Sequence, residues 1–267
     1  MVDRKGQSHR VLQSSVSSPA YLRYAGLPLR ACRFSEVHVS RFLAVAFVLI
    51  AGVLVWGFFF RGTASASGKG PVPPAVVDDA LANAPGKLVA VFAGGCFWGT
   101  QSVFERVKGV IDTTVGYSGG SVDTATYDQV TTETTGHAES VRVVYDPAKI
   151  TYGQLLRIFF SVAHDPTQLN RQGPDVGTSY RSAIFYSNED QHRIAEAYIA
   201  QLDAAHVYGS KIVTLLTPLK GFYDAEHYHQ HYADLNPNNP YILVCDRPKI
   251  EALKAQFPEL FVEYHGK

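Results

Sequence analysis

Cys96 stands in Gly94-Gly95-Cys96-Phe97-Trp98-Gly99, where an apolar run gives way to a segment of helical length. Paired glycines permit a tight turn and close backbone approach. A cysteine at or just before a helix start meets unpaired N–H groups and the positive end of the helix dipole, and both favour an anion. The thiolate is the nucleophilic form of cysteine, so this setting suits attack on an electrophilic atom. A buried structural cysteine would fit the same run, because free cysteine is among the most buried residue types. Phe97 and Trp98 fit either reading, as core or as walls of a small apolar pocket.

Two further stretches could serve such a nucleophile. Thr135-Gly136-His137-Ala138-Glu139 opens a strand. A carboxyl held there beside aromatic residues would resist ionisation and could donate a proton near neutral pH, whereas in solvent it would be a plain strand-edge charge. His164 through Ser182 is a long polar loop carrying Asp165, Arg171, Asp175 and Tyr180. Loops of that length in a compact domain are usually functional or disordered. A Cys-His acyl-transfer hydrolase built from Cys96 and His164, or from His137, with Asp165 as orienter is one competing reading. A binding module without turnover is another.

His227, His229 and His231 have a spacing that would put three metal ligands on one face of a strand. Pro218 and Gly221 precede them, and Tyr228 and Tyr232 fall four apart, which points to a helix, where i and i+2 diverge. No metal is expected.

These residues need a frame to hold them. Leu88 to Ala93 reads as a buried strand stopped by the glycines, and Phe97 to about Lys108 as a helix. Val110 to Gly116 and Ala138 to Tyr145 read as strands, the second with Val141, Val143 and Tyr145 on one parity. Thr151-x-x-Gln154 is a capping box, and Asn188-x-x-Gln191 caps a helix to about Ala204. Ser182 to Tyr186 and Lys211 to Leu216 complete a β-α-β-β-α-β-α-β order. That order predicts an α+β fold: a two-layer sandwich whose ferredoxin-like mixed sheet is covered by helices.

The 267 residues carry 24 basic and 24 acidic side chains, 46% hydrophobic residues and three cysteines. This excludes a wholly disordered chain, a disulfide-dense scaffold and a four-thiolate zinc site, and gives no reason to expect a nucleic-acid partner. The zero net charge hides a split. Residues 1–61 hold eight basic and two acidic side chains, net +6, and the remainder is net −6.

Phe42 to Phe60 is an uncharged run of nineteen residues closed by Arg41 and Arg61. About twenty helical residues cross a membrane, and basic residues stay on the cytoplasmic side. The expected organisation is a basic cytoplasmic segment (1–41), a transmembrane or signal-anchor helix (42–60), a linker (61–86) and a catalytic domain (87–267). The domain would then face the periplasmic or extracytoplasmic side of an inner membrane. Thr63-Ala64-Ser65-Ala66 offers an alternative, export followed by cleavage near Ala66.

GGCFWG at 94–99, GYSGG at 116–120, TGHAE at 135–139, Asp146-Pro147, the 164–182 loop and AEHYHQHY at 225–232 together resemble the type A peptide methionine sulfoxide reductases. The resemblance runs from about Val89 to Phe261. It implies that Cys96 attacks the sulfoxide sulfur, and that Glu139 protonates the oxygen while Tyr127 and Tyr180 hydrogen-bond it. Asp175 would order that cluster, and Phe97 and Trp98 would hold the substrate methyl. The products would be methionine and a Cys96 sulfenic acid. The implied substrates are oxidised proteins and free methionine sulfoxide, with a thioredoxin-like or other dithiol as reductant, no cofactor, and a monomeric enzyme. Many members carry a recycling cysteine in a Gly-rich tail. Here Cys245 is displaced from that position and is the candidate resolving thiol, with direct reduction by an external thiol as the alternative. Cys32 precedes the membrane run and would be on the wrong side of it.

Overall fold

Leu88–Gly94 forms the central strand, β1, of the computed structural model, which describes residues 71–264 and 266. The chain continues through α1 (Phe97–Phe104), β2 (Val110–Ser118), the short α2 (Tyr127–Val130) and β3 (Ala138–Tyr145). Then come α3 (Tyr152–Ile158), a small hairpin of β4 (Arg171–Gln172) and β5 (Asp175–Val176), β6 (Ser182–Tyr186) and α4 (Glu189–Ala204). Two edge strands, β7 (Leu215–Pro218) and β8 (Phe222–Asp224), precede α5 (Tyr232–Leu235) and α6 (Arg247–Gln256).

Six of the strands make one sheet in the order β7-β6-β1-β3-β2-β8. Its inner four strands pair antiparallel, as the β-α-β-β-α-β motif requires, and only β6–β7 is parallel. Alternation along β1 separates the two faces. Ala90 and Phe92 join the main core with Phe104 of α1, Leu155 and Leu156 of α3 and Tyr198 of α4. Val91 and Ala93 join a small cluster with Ala138, Ala183 and Phe185 on the other face. The helices therefore load one side of the sheet, which is the mixed α+β architecture expected.

Both predicted helix caps form. Thr151 and Gln154 exchange their two capping-box bonds, and the Asn188 side chain accepts from the Gln191 N–H. Elsewhere the boundaries move. The strand expected at Lys211 to Leu216 begins only at Leu215, because the Ile212 N–H donates to Asp203 and the Val213 N–H to the Pro166 carbonyl. The helix expected across His227 to Tyr232 is broken: His227–His229 is a 3-10 turn, and His231 adopts φ 56° before α5.

Residues 71–86, within the stretch read as linker, are fastened to the domain. Val72 is buried, its carbonyl accepts from Arg157 at 2.7 Å, and the Pro73 carbonyl accepts from the Tyr198 hydroxyl at 2.6 Å. Asp78 accepts from Thr151 Oγ1 and the Gly153 N–H. The 42–60 run, Ala66 and Cys32 lie outside the described residues. No helix among the described residues is long and apolar enough to cross a membrane.

Candidate active site

The turn that presents the nucleophile depends on its two glycines. Gly95 has φ +87°, and a Cβ there would stand 2.4 Å from Gln172. A Cβ at Gly94 would press on Phe159 and His164 at 3.0–3.2 Å. The chain leaves β1 in this tight turn and places Cys96 as the N-cap of α1, with 7% of its surface exposed.

Burial decides the thiol's charge. The Cys96 thiol is pushed well above its ordinary range, first by desolvation and then by the carboxyls of Glu139 and Asp246. The Trp98 N–H and the Lys249 ammonium pull the other way and lose. The pull of the helix start towards an anion is thus opposed by the loss of water around the thiol, the larger of the two influences.

Glu139 is brought to Cys96 as expected. It is fully enclosed on β3, and its Oε2 accepts from the Phe97 N–H at 3.0 Å. Desolvation pushes its carboxyl up to about 8; the Phe97 bond opposes this, and Asp175 and Glu133 add to it. It is thus a protonated acid at neutral pH, one residue removed from the nucleophile. Burial, together with Glu139 and Cys96, also raises the Tyr127 and Tyr180 phenols, so both remain protonated donors within the electrostatic reach of Cys96 and Glu139.

Each aromatic donor is held by a carboxylate further out. Glu226 accepts from the Tyr127 N–H and from the Tyr117 hydroxyl, both at 2.9 Å. Glu133 takes the Ser179 N–H and the Ser179 and Thr178 hydroxyls, fixing the 3-10 turn Thr178–Tyr180 that carries Tyr180. Asp175 accepts from the Tyr241 hydroxyl.

Phe97 is buried between Tyr117 and His229, with ring centroids 5.9 and 5.1 Å away. Trp98 keeps part of its face open, stacks on Tyr232 at 3.9 Å and donates its Nε1–H to His229 Nδ1. The aromatic cluster is therefore shared: Trp98 packs on His229, Tyr232 and Tyr241, and Phe97 packs on the same His229.

Tyr241 and His229 were not assigned to the site from the sequence. His229 sat in a motif whose even spacing suggested metal ligands, and Tyr241 follows Asn236-Pro237 with no local pattern to mark it. The three histidines do not share a face. His229 turns to Trp98, and His231 Nδ1 meets Glu105.

The hydrolase reading fails on His164. Its Nδ1 meets the Phe159 carbonyl at 3.1 Å and its Nε2 meets Ser182 Oγ at 2.7 Å, so both ring nitrogens are committed. Burial lowers its pKa to about 4. His137 is likewise used on both nitrogens, by the Gly120 N–H and the Ser121 carbonyl. Cys245 lies half-buried in a π-helical turn, Ile242–Asp246, that packs against α1.

The chain that brings this thiol, carboxyl and two phenols together is similar to known proteins. The family model described as "Peptide methionine sulfoxide reductase" matches residues 88–260. The chain is 57% identical over 180 residues to peptide methionine sulfoxide reductase MsrA 2 of Mesorhizobium japonicum, covering 67% of this chain and 92% of that one. Among solved structures it resembles reduced Mxr1 from Saccharomyces cerevisiae, at 34% identity and TM-score 0.53 over 63% of this chain and 95% of that one. It also resembles methionine sulfoxide reductase A of Corynebacterium diphtheriae, at 38% identity and TM-score 0.50 over 62% and 82%.

Proposed function

Because the chain belongs to the peptide methionine sulfoxide reductase family, we propose that its repair of oxidised methionine is performed in the Cys96 pocket. It reduces methionine sulfoxide to methionine. The observation that carries the assignment of the site is the enclosed, protonated Glu139 tied to the residue after Cys96.

Cys96 Sγ attacks the sulfoxide sulfur while Glu139 gives its proton to the oxygen and Tyr127 and Tyr180 hydrogen-bond it. Two electrons pass from Cys96 to the substrate sulfur. A thiol and a sulfoxide become a sulfenic acid and a thioether, with the oxygen ending on Cys96. The proton of the neutral Cys96 thiol makes good the one that Glu139 gives, and the second thiol supplies the last proton when the oxygen is released as water. Trp98, backed by Phe97, offers the apolar face for the substrate methyl, and Asp175 orders Tyr241 above it.

A second thiol then displaces water from the sulfenic acid to form a disulfide, which a thioredoxin-like or other dithiol reduces. We assign the resolving role to Cys245, supported by the packing of its turn against α1. If Cys245→Ser recycles at the full rate with a dithiol protein reductant, an external thiol reduces Cys96 directly and the assignment is wrong.

The test of the main reading is turnover of the two sulfoxide epimers of a blocked methionine by the full chain with dithiothreitol. Reduction of the S form alone is expected; reduction of neither form would refute it. We further propose that residues 42–60 hold the domain on the extracytoplasmic face of an inner membrane. The uncharged run and the basic excess before it support this.

A further inference from the structure

Asp246 closes the Ile242–Asp246 turn and Lys249 lies in the first turn of α6. Asp246 has no exposed surface, and its Oδ1 meets Lys249 Nζ at 3.2 Å. Its Oδ2 is buried with no hydrogen-bond partner. Asp246 gives up all of its hydration and Lys249 keeps 16% of its side chain exposed, so the carboxylate bears a desolvation cost that its partner offsets only in part.

The pair does not merely lie in the core. It is seated on Gly99, in the first turn of the helix that Cys96 opens. A Cβ at Gly99 would stand 2.0 Å from Asp246 Oδ1 and 2.7 Å from Lys249 Nζ. The last glycine of the 94–99 motif is thus the opening through which both charges approach α1. None of the catalytic steps above uses them.

We propose that the Asp246–Lys249 pair, seated on Gly99 in the first turn after Cys96, sets the charge facing the nucleophile, with Lys249 and Asp246 acting in opposite senses. Both are positioning residues that act through Cys96. The other groups facing the thiol are Glu139 on β3, Tyr127 on α2, Tyr180 and Tyr241, acids that are neutral when protonated and anionic when not, so none of them supplies positive charge. Lys249 supplies it. A charge that is mostly shielded from water acts more strongly on its neighbours than one on the surface.

The inference rests on Cys96 being the nucleophile, so its test reads Cys96 directly and needs no sulfoxide turnover. The rate of Cys96 alkylation by iodoacetamide is followed against pH in the full chain, with peptide mapping to separate Cys96 from Cys32 and Cys245. Lys249→Met is expected to raise the midpoint by about one unit, an approximately tenfold loss of thiolate at neutral pH, and Lys249→Arg to restore it. Asp246→Asn is expected to lower the midpoint. The double change Asp246→Asn/Lys249→Met leaves no orphan charge to unfold the core and should shift it less than either single change. If the midpoints coincide with the wild type, or if both single variants move it in the same direction, the proposal is overturned. Normal midpoint shifts in an enzyme that reduces neither epimer would instead refute the assigned reaction while leaving the pair's role intact.

Discussion

Glu139 and Cys96 are two acids that burial keeps neutral, and their chemistry follows from that shared condition. Glu139 donates only while protonated, so turnover should fall as pH rises through about 8. Replacing it by Gln removes the proton and leaves the shape, and the rate should drop by roughly 10²–10⁴. Cys96 alkylation above that pH should become faster in the same variant, because an anionic neighbour has gone. Steady-state kinetics with a blocked sulfoxide, read beside alkylation, checks both; a slower alkylation would contradict the charge argument. The sign for stability is also fixed. A carboxyl raised on folding stabilises the fold fully below its unfolded value near 4.5, and that contribution is lost as pH rises to about 8.

The elements do the positioning, and the sequence showed them unevenly. Leu88 to Ala93, the Gly94-Gly95 stop, the Thr151 box and the Asn188 cap were legible because each depends on contacts within a few residues. The turn at Gly95 is the sharpest case. Gly95→Ala places a Cβ 2.4 Å from Gln172 at a φ of +87°, so stability should fall by about 1–3 kcal/mol. Cys96 should become more accessible to thiol reagents, and chemical denaturation with thiol titration checks both outcomes. What was not legible is what long-range partners decide. Lys211 looked like a strand start until Asp203 and Pro166 took its neighbours' N–H groups, and the even histidine spacing concealed a break at His231. Of the site, Cys96, Glu139 and Tyr180 stood in readable motifs. Tyr241, Glu226 and Asp246 come from residues 226–246 and meet Asp175, Tyr117 and Gly99, partners far away in sequence, so nothing local marks their roles.

At the scale of the whole molecule, residues 71–86 form a strap bonded to the domain behind them. A chain beginning at Pro71 keeps the strap's contacts and, on the proposed anchor, should leave the membrane fraction, whereas one beginning at residue 87 loses the Val72, Pro73 and Asp78 contacts. Several buried hydrogen bonds at about 1 kcal/mol each make that loss on the order of 3 kcal/mol. Denaturant midpoints of the two truncations, with fractionation of the full chain, test it. Equal midpoints would show the strap to be passive. The sheet order has one more consequence. β1 is made first but completes its ladder only with β3 and β6, whose residues lie at 138–145 and 182–186. Such distant pairings form late. During synthesis, then, Cys96 spends its early life as an unprotected thiol on a nascent polypeptide, open to the same oxidants whose damage the finished enzyme reverses.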